Sequence, residues 1–147
     1  MTTEVVFLVH LSATLLMTGA IWIVQAVHYP LFAAVGSDVF VRYEAAHQRR
    51  ITWFVAPVMT IELATGIALV AGWRPEAFPA WAAVAGLALI GMIWIMTAAV
   101  QVPLHTRLAK GFDAGIHGSL VGTNWWRTAA WTARSLLLLW LTAQMIT

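Results

Sequence analysis

The sequence predicts an all-α protein: an integral membrane antiparallel four-helix bundle with an extra helix on the cytoplasmic side. Three observations predict it. Hydrophobic residues make up 61% of the chain and charged residues only 10%, far from the balance of a soluble domain. The apolar residues gather in four runs, 5–27, 51–72, 81–102 and 125–145, each about the ~20 residues that a helix needs to cross a bilayer core. The ionisable groups collect at one end of those runs. Arg42, Arg49, Arg50, Arg107, Lys110, Arg127 and Arg134 lie in or beside the first and third connections, together with His28, His47, His105 and His117. Hydrocarbon penalises each misplaced charge, so a one-ended cluster reads as a site at one membrane face.

Residues 1–147 are expected to form a single four-span transmembrane domain. The chain has no cysteine, which excludes disulfides, thiolate metal sites and thiol catalysis. The net charge of +2 is small and localised, which argues against a nucleic-acid partner. The expected partners are the lipid bilayer and a hydrophobic small molecule, with a homo-oligomer left open.

In the first run His10, Thr14, Met17, Ile21, Gln25 and His28 recur every three or four residues and share one helical face. No Lys or Arg precedes this run, so it reads as a retained span and not as a cleaved signal peptide. A helix is expected to start near Ser37, with Ser37 or Asp38 as N-cap. Continued into the second run, it aligns Glu44, His47, Ile51, Val55, Val58 and Glu62, with Pro57 as a point of kinking. The third run aligns Trp94, Ala98, Gln101 and His105. The fourth aligns Asn124, Arg127, Trp131, Arg134 and Leu138. Lipid does not solvate such stripes, so they should face one another. By the positive-inside rule, loops 28–50 and 103–124 are cytoplasmic. The loop around Arg74-Pro75-Glu76 and both termini then lie outside an inner (cytoplasmic) membrane. Gly111, Gly115, Gly118 and Gly122 suggest a glycine-rich loop with His117 on its surface.

A faint repeat is present. His28 and His47 are 19 apart, as are His105 and Asn124, and Gly19-Ala20-Ile21-Trp22-Ile23 resembles Gly91-Met92-Ile93-Trp94-Ile95. Two tandem helical hairpins are one reading, and would ring these polar residues at one depth.

Glu44-x-x-His47 presents a carboxylate and an imidazole on one helical turn, as di-iron bundles do. With His28 and His105 at the same end, the four form a candidate metal set. Its nitrogen and oxygen donors suit iron first, with copper, manganese or zinc as alternatives. The competing reading places these histidines at the headgroup level, binding water or phosphate. Glu62 and Arg134 fall roughly 12–18 Å into the bilayer by helical rise. They read as a buried pair, or as a proton relay and substrate-binding groups. Arg127, Trp131 and Arg134 could hold an anionic planar ligand by charge and stacking. His10 lies roughly 25 Å from His28 and reads as a bond between helices or as an axial haem ligand. Gln25, Gln101 and Asn124 are supporting amides, either orienting imidazoles or joining helices.

His10, Met17-x-Gly19-x-x-Trp22, His28, Val55-x-Pro57-x-Met59 and Thr65-Gly66 together resemble the HemJ-type membrane protoporphyrinogen oxidase. That resemblance implies four spans and a haem linked to His10. The family's third-span lysine has no counterpart here. Val102-Pro103-Leu104-His105 and Asn124-Trp125-Trp126-Arg127 look more like the anthrone-oxygenase-like four-span family. The function expected is a metal-dependent membrane oxidoreductase or oxygenase. It would act on a hydrophobic aromatic or polycyclic substrate at the cytoplasmic side. Glu62 would move protons, and Arg127 and Arg134 would fix the substrate or its developing anion. Two alternatives remain: a non-catalytic ligand- or ion-binding bundle (carrier, sensor or accessory subunit), and a haem protein centred on His10.

Overall fold

The computed structural model describes residues 2–146. The chain is 88% helix, with no strand among the described residues. Four long helices follow one another: α1 Thr3–Ala34, α2 Ser37–Val70, α3 Ala80–Leu108 and α4 Ala114–Ile146. Three of them, α1 to α3, are long and apolar enough to cross a membrane. α4 is long enough at 33 residues but less apolar. Asn124, Arg127, Arg134 and its tryptophans lower its hydropathy.

The helices run further than the apolar pattern implies. Loops 28–50 and 103–124 were expected as connections, yet the breaks are only 35–36 and 109–113. Gly115, Gly118 and Gly122 are therefore helical, and there is no glycine-rich loop. The Asp113 carboxylate accepts from the Ile116 N–H at 2.8 Å, and this cap starts the helix despite the glycines. α2 likewise begins at a different cap from the one expected. Gly36 occupies the N-cap position, and a Cβ there would meet Asp38 Oδ1 at 2.8 Å. The bare glycine lets the Asp38 side chain fold back over the first turn. α2 passes through Pro57 without a break.

α1 and α3 each contain one π turn, at Val24–His28 and Thr97–Gln101. The cause is the same in both. Tyr29-Pro30 and Val102-Pro103 put a proline, which lacks an N–H, just after the turn. The preceding N–H then reaches back five residues, Tyr29 to Val24 and Val102 to Thr97. These matched wide turns fall where the faint repeat aligns the two hairpins.

Contacts close a ring: α1 packs on α2 and α4, and α3 packs on the same two. Side-chain pairs run in opposite sequence order, His10 with Thr65 and His28 with His47 between α1 and α2. Neighbouring helices therefore point opposite ways. Met17, Ile21, Phe32, Phe40, Ile93, Leu108, Leu120 and Trp131 form one apolar core. A second core at the other end holds Val6, Phe7, Leu69, Phe78, Ala82, Ala83, Leu138 and Leu141. Gly66 sets how closely α2 and α3 approach, since a Cβ there would meet Ile90 Cδ1 at 2.7 Å. The polar residues lie inside this apolar frame.

Candidate functional site

The polar cluster starts at Glu44, which is fully buried on α2. Its Oε1 accepts from His105 Nδ1 at 2.6 Å, and His105 Nε2 meets the Tyr29 hydroxyl at 2.8 Å. A carboxylate only accepts, so Nδ1 carries a proton and the neutral ring takes the Tyr29 proton donor at Nε2. A buried carboxylate–imidazole–phenol chain results, drawn from α2, α3 and α1. Gln48 ties it down by donating to Glu44 Oε1 and to the His105 carbonyl, at 3.1 and 3.2 Å. Sequence reasoning missed Tyr29 and Gln48. Tyr29 is the residue next to His28, and the π turn is what swings it inward. No sequence signal separates it from any other aromatic at a helix end.

His28 Nε2 bonds His47 Nδ1 at 2.8 Å, and the His47 and His105 rings lie 5.3 Å apart. The four expected metal residues thus come together, but they bond one another in two pairs. Among the described residues no group of three or more His, Asp or Glu is arranged to hold a metal ion. Glu44 Oε2 and His47 Nε2 are buried without a partner. His117 is not a surface residue. It is part-buried, and its Nε2–H donates to the Tyr29 carbonyl at 2.8 Å.

The amides do not touch the imidazoles. Gln25 donates to the Val121 carbonyl at 3.2 Å and accepts from Asn124 at 2.8 Å. Asn124 in turn accepts from Arg127 at 3.0 Å. Gln101 donates to Thr123 at 2.9 Å. All three serve as bonds between helices, the second of the two roles expected for them. Asn124, backed by Gln25, also holds the Arg127 guanidinium, which lies 5.2 Å over the Trp131 ring.

Arg127, His105, Tyr29 and Gln101 line a cavity of about 120 Å³. Its remaining walls include Met17, Ile21, Val24, Ile51, Val55 and Val102. Gln48, Thr52 and Thr97 also line it, so the cavity joins a cationic, hydrogen-bonding set to a largely apolar wall.

Glu62 and Arg134 form a buried ion pair, Arg134 Nη1 to Glu62 Oε1 at 2.5 Å. Trp131 Nε1 donates to the same carboxylate, at 3.0 Å to Oε2. Arg134 Nη2 donates to Thr14 Oγ1 and His10 Nε2, at 3.1 and 3.2 Å. Arginine only donates, so His10 Nε2 is the acceptor. His10 Nδ1–H then donates to Thr65 Oγ1 at 2.8 Å, and the Thr65 hydroxyl in turn donates to the Ile61 carbonyl at 2.7 Å. Thr14 and Thr65, which the sequence did not single out as partners, complete the network. Both His10 nitrogens are engaged, and the space beside the ring is about 10 Å³.

The chain matches no protein family model, no curated protein and no solved structure in the comparisons made.

Proposed function

We propose that the chain is a four-span inner-membrane protein. In this reading it is an oxidoreductase that binds a hydrophobic aromatic or polycyclic molecule in the central cavity. The membrane assignment is supported by the bundle's surface. Leu8, Ile23, Trp53, Ile95, Trp126, Leu136 and many other large apolar side chains lie exposed on the outside, while Glu44, Glu62, Arg127 and Arg134 are buried inside. Water would disfavour such a surface and lipid would not.

The observation that carries the functional reading is the cavity, where Tyr29, His105 and Arg127, with Gln48, Thr52, Thr97 and Gln101, meet an otherwise apolar lining. A planar substrate bearing an acidic hydroxyl or activated C–H group would lie with that group at the polar end. The Tyr29 hydroxyl takes the substrate proton while passing its own to His105 Nε2. Glu44 stabilises the imidazolium that forms, as a carboxylate behind a histidine does. Arg127 faces the developing oxyanion. The electron-rich anion then gives one electron to dioxygen, which apolar surroundings admit. The two radicals join at the substrate carbon, and the peroxide oxygen takes back the proton held at His105, so R–H and dioxygen become R–OOH. Glu62 and Arg134, tied to each other and to His10, hold the helices around this chamber.

A second reading has a metal on His28, Glu44, His47 and His105. One observation favours it, the two unpartnered atoms Glu44 Oε2 and His47 Nε2. It requires the His28–His47 and Glu44–His105 bonds to give way to ligation.

Oxygen uptake by protein purified in mild detergent, with an anthrone-type polycyclic phenol, tests the first reading. Uptake should fall about 100-fold in Tyr29→Phe and His105→Ala, the usual scale of general acid–base catalysis, and also in Arg127→Met. Uptake by Tyr29→Phe at the wild-type rate would overturn the relay. Binding without uptake would leave a ligand-binding bundle. Metal analysis of the same preparations separates the second reading, in which His47→Ala loses stoichiometric metal and His117→Ala keeps it.

A further inference from the structure

Two recesses on the outer face of α1 and α2 adjoin each other. The first is lined by His28, Tyr43, His47, Arg50 and Ile51. The second runs from His28 and Ile51 along Gly19, Ala20, Ile23 and Phe54 to Leu15 and Leu16. They share His28 and Ile51, so a polar recess opens directly into an apolar groove about three and a half helical turns long.

Their chemistry differs sharply along that line. Arg50 is exposed, and the ion pairs among the described residues are Glu44–His105 and Glu62–Arg134, so none neutralises it. His47, at 8% exposure, lines the same recess, and its Nε2 is buried behind the recess wall without a partner. Such a group is costly unless something bonds it. The groove below it is open: nothing stands within 4 Å of a Cβ added at Gly19. Its walls are aliphatic and aromatic only.

We infer that this face is a specific site for one anionic phospholipid of the bilayer. Its phosphate would bind Arg50 and His47, and one acyl chain would lie in the groove past Gly19. The inference rests on the membrane reading above. Arg50 and His47 stand where α2 leaves the apolar run, the level at which headgroups sit, and Arg42 and Arg49 add positive charge along the same helix. Guanidinium to phosphate is a charge-assisted contact. An anionic lipid adds a further attraction to the basic end of the bundle. Ala20, Val24 and Ile51 line the central cavity as well as these recesses, so the lipid chain would flank a side wall of the substrate chamber. The site takes a different ligand from the cavity and uses none of Tyr29, His105 or Arg127.

Native mass spectrometry tests it, on protein extracted in mild detergent and offered phosphatidylglycerol or phosphatidylcholine with the same chains. The expected result is one retained phosphatidylglycerol, with at least a tenfold preference over phosphatidylcholine. Arg50→Gln should lose the preference. Gly19→Leu should lose retention of both lipids, because it fills the groove. Both positions are open to the outside, and unchanged helical circular dichroism would show that the variants fold. Equal retention of the two lipids by the wild type would overturn the inference. So would full retention by Gly19→Leu, or inorganic phosphate displacing the lipid completely at millimolar concentration. A chain that stays in solution without detergent would overturn the membrane reading as well. A chain that needs detergent yet strips clean of anionic lipid would overturn this inference alone.

Discussion

Glu62 accepts from Arg134 and from Trp131, and Arg134 also donates to Thr14 and His10. Three further side chains, Trp131, Thr14 and His10, therefore depend on one carboxylate and one guanidinium, with both at 1% exposure. Removing either charge leaves the other buried and unpaired. Glu62→Leu or Arg134→Met alone should each destabilise by about 3–5 kcal/mol, the usual cost of breaking a buried pair. Glu62→Leu with Arg134→Met should recover much of that loss in thermal unfolding in detergent. A double variant no more stable than the singles would mean that Thr14, His10 and Trp131, and not the pair, carry the stabilisation. Both residues were legible in the sequence as deep charges. Their partners were not, because helical periodicity gives a residue's face but not what stands opposite it. The same holds for Glu44: the spacing of Glu44 and His47 suggested that they act together, yet Glu44 bonds His105 on another helix.

At the scale of the element, the π turns decide what α1 and α3 present to the site. An i−5 bond inserts a residue into the helical register, and π turns recur at functional sites for that reason. Gln25 and Gln101 fall inside these turns, which explains why each amide meets α4 and not the histidine one turn on. Pro103→Ala restores an N–H, so α3 can close as a regular α-helix. His105 would then rotate by about 100°, one residue's worth of turn, away from Glu44. The helix gains by losing its proline, but Glu44 loses its His105 partner while still buried, so thermal stability should fall, and ligand binding and turnover are lost. Binding at wild-type strength in a folded Pro103→Ala protein would show that the π turn does not position the site. The two prolines were visible in the sequence, but neither was assigned this effect. A proline after an apolar run commonly ends a helix, and only packing on both sides keeps these two going.

For the whole molecule, the ring of contacts among four helices buries most of each polar stripe, with Ala98 left exposed and His28 half-buried, and turns apolar surface outward. The ionisable groups remain one-ended, with Arg42, Arg49, Arg50, Arg107 and Lys110 near the α1–α2 and α3–α4 breaks and Arg74 and Glu76 in the opposite one. The proposed orientation puts the basic end in the cytoplasm. The chain has no cysteine, so single introduced thiols report position cleanly. A membrane-impermeant thiol reagent on intact cells should label Glu76→Cys, and should label Lys110→Cys only after lysis. The reverse pattern would put the cavity's polar end on the other side of the membrane.

The sequence by itself determined that the chain is helical, where its apolar runs lie and which face of each run is polar. Those properties are local: hydropathy and a repeat of three or four residues are read within one segment. It also marked Glu62, Arg127, Arg134, His10, His28, His47 and His105 as candidate site residues, while it left His117 on the surface. Tertiary structure alone decided which donor meets which acceptor. His10 and Arg134 are 124 residues apart, and Glu44 and His105 are 61 apart. Such pairs depend on how four helices are rotated against one another. Two proline-driven π turns set part of that rotation, and close approach at Gly66 sets how near α2 and α3 come. Tyr29 entered the site for the same reason: a one-residue change of register turns an anonymous aromatic into the proton donor at His105.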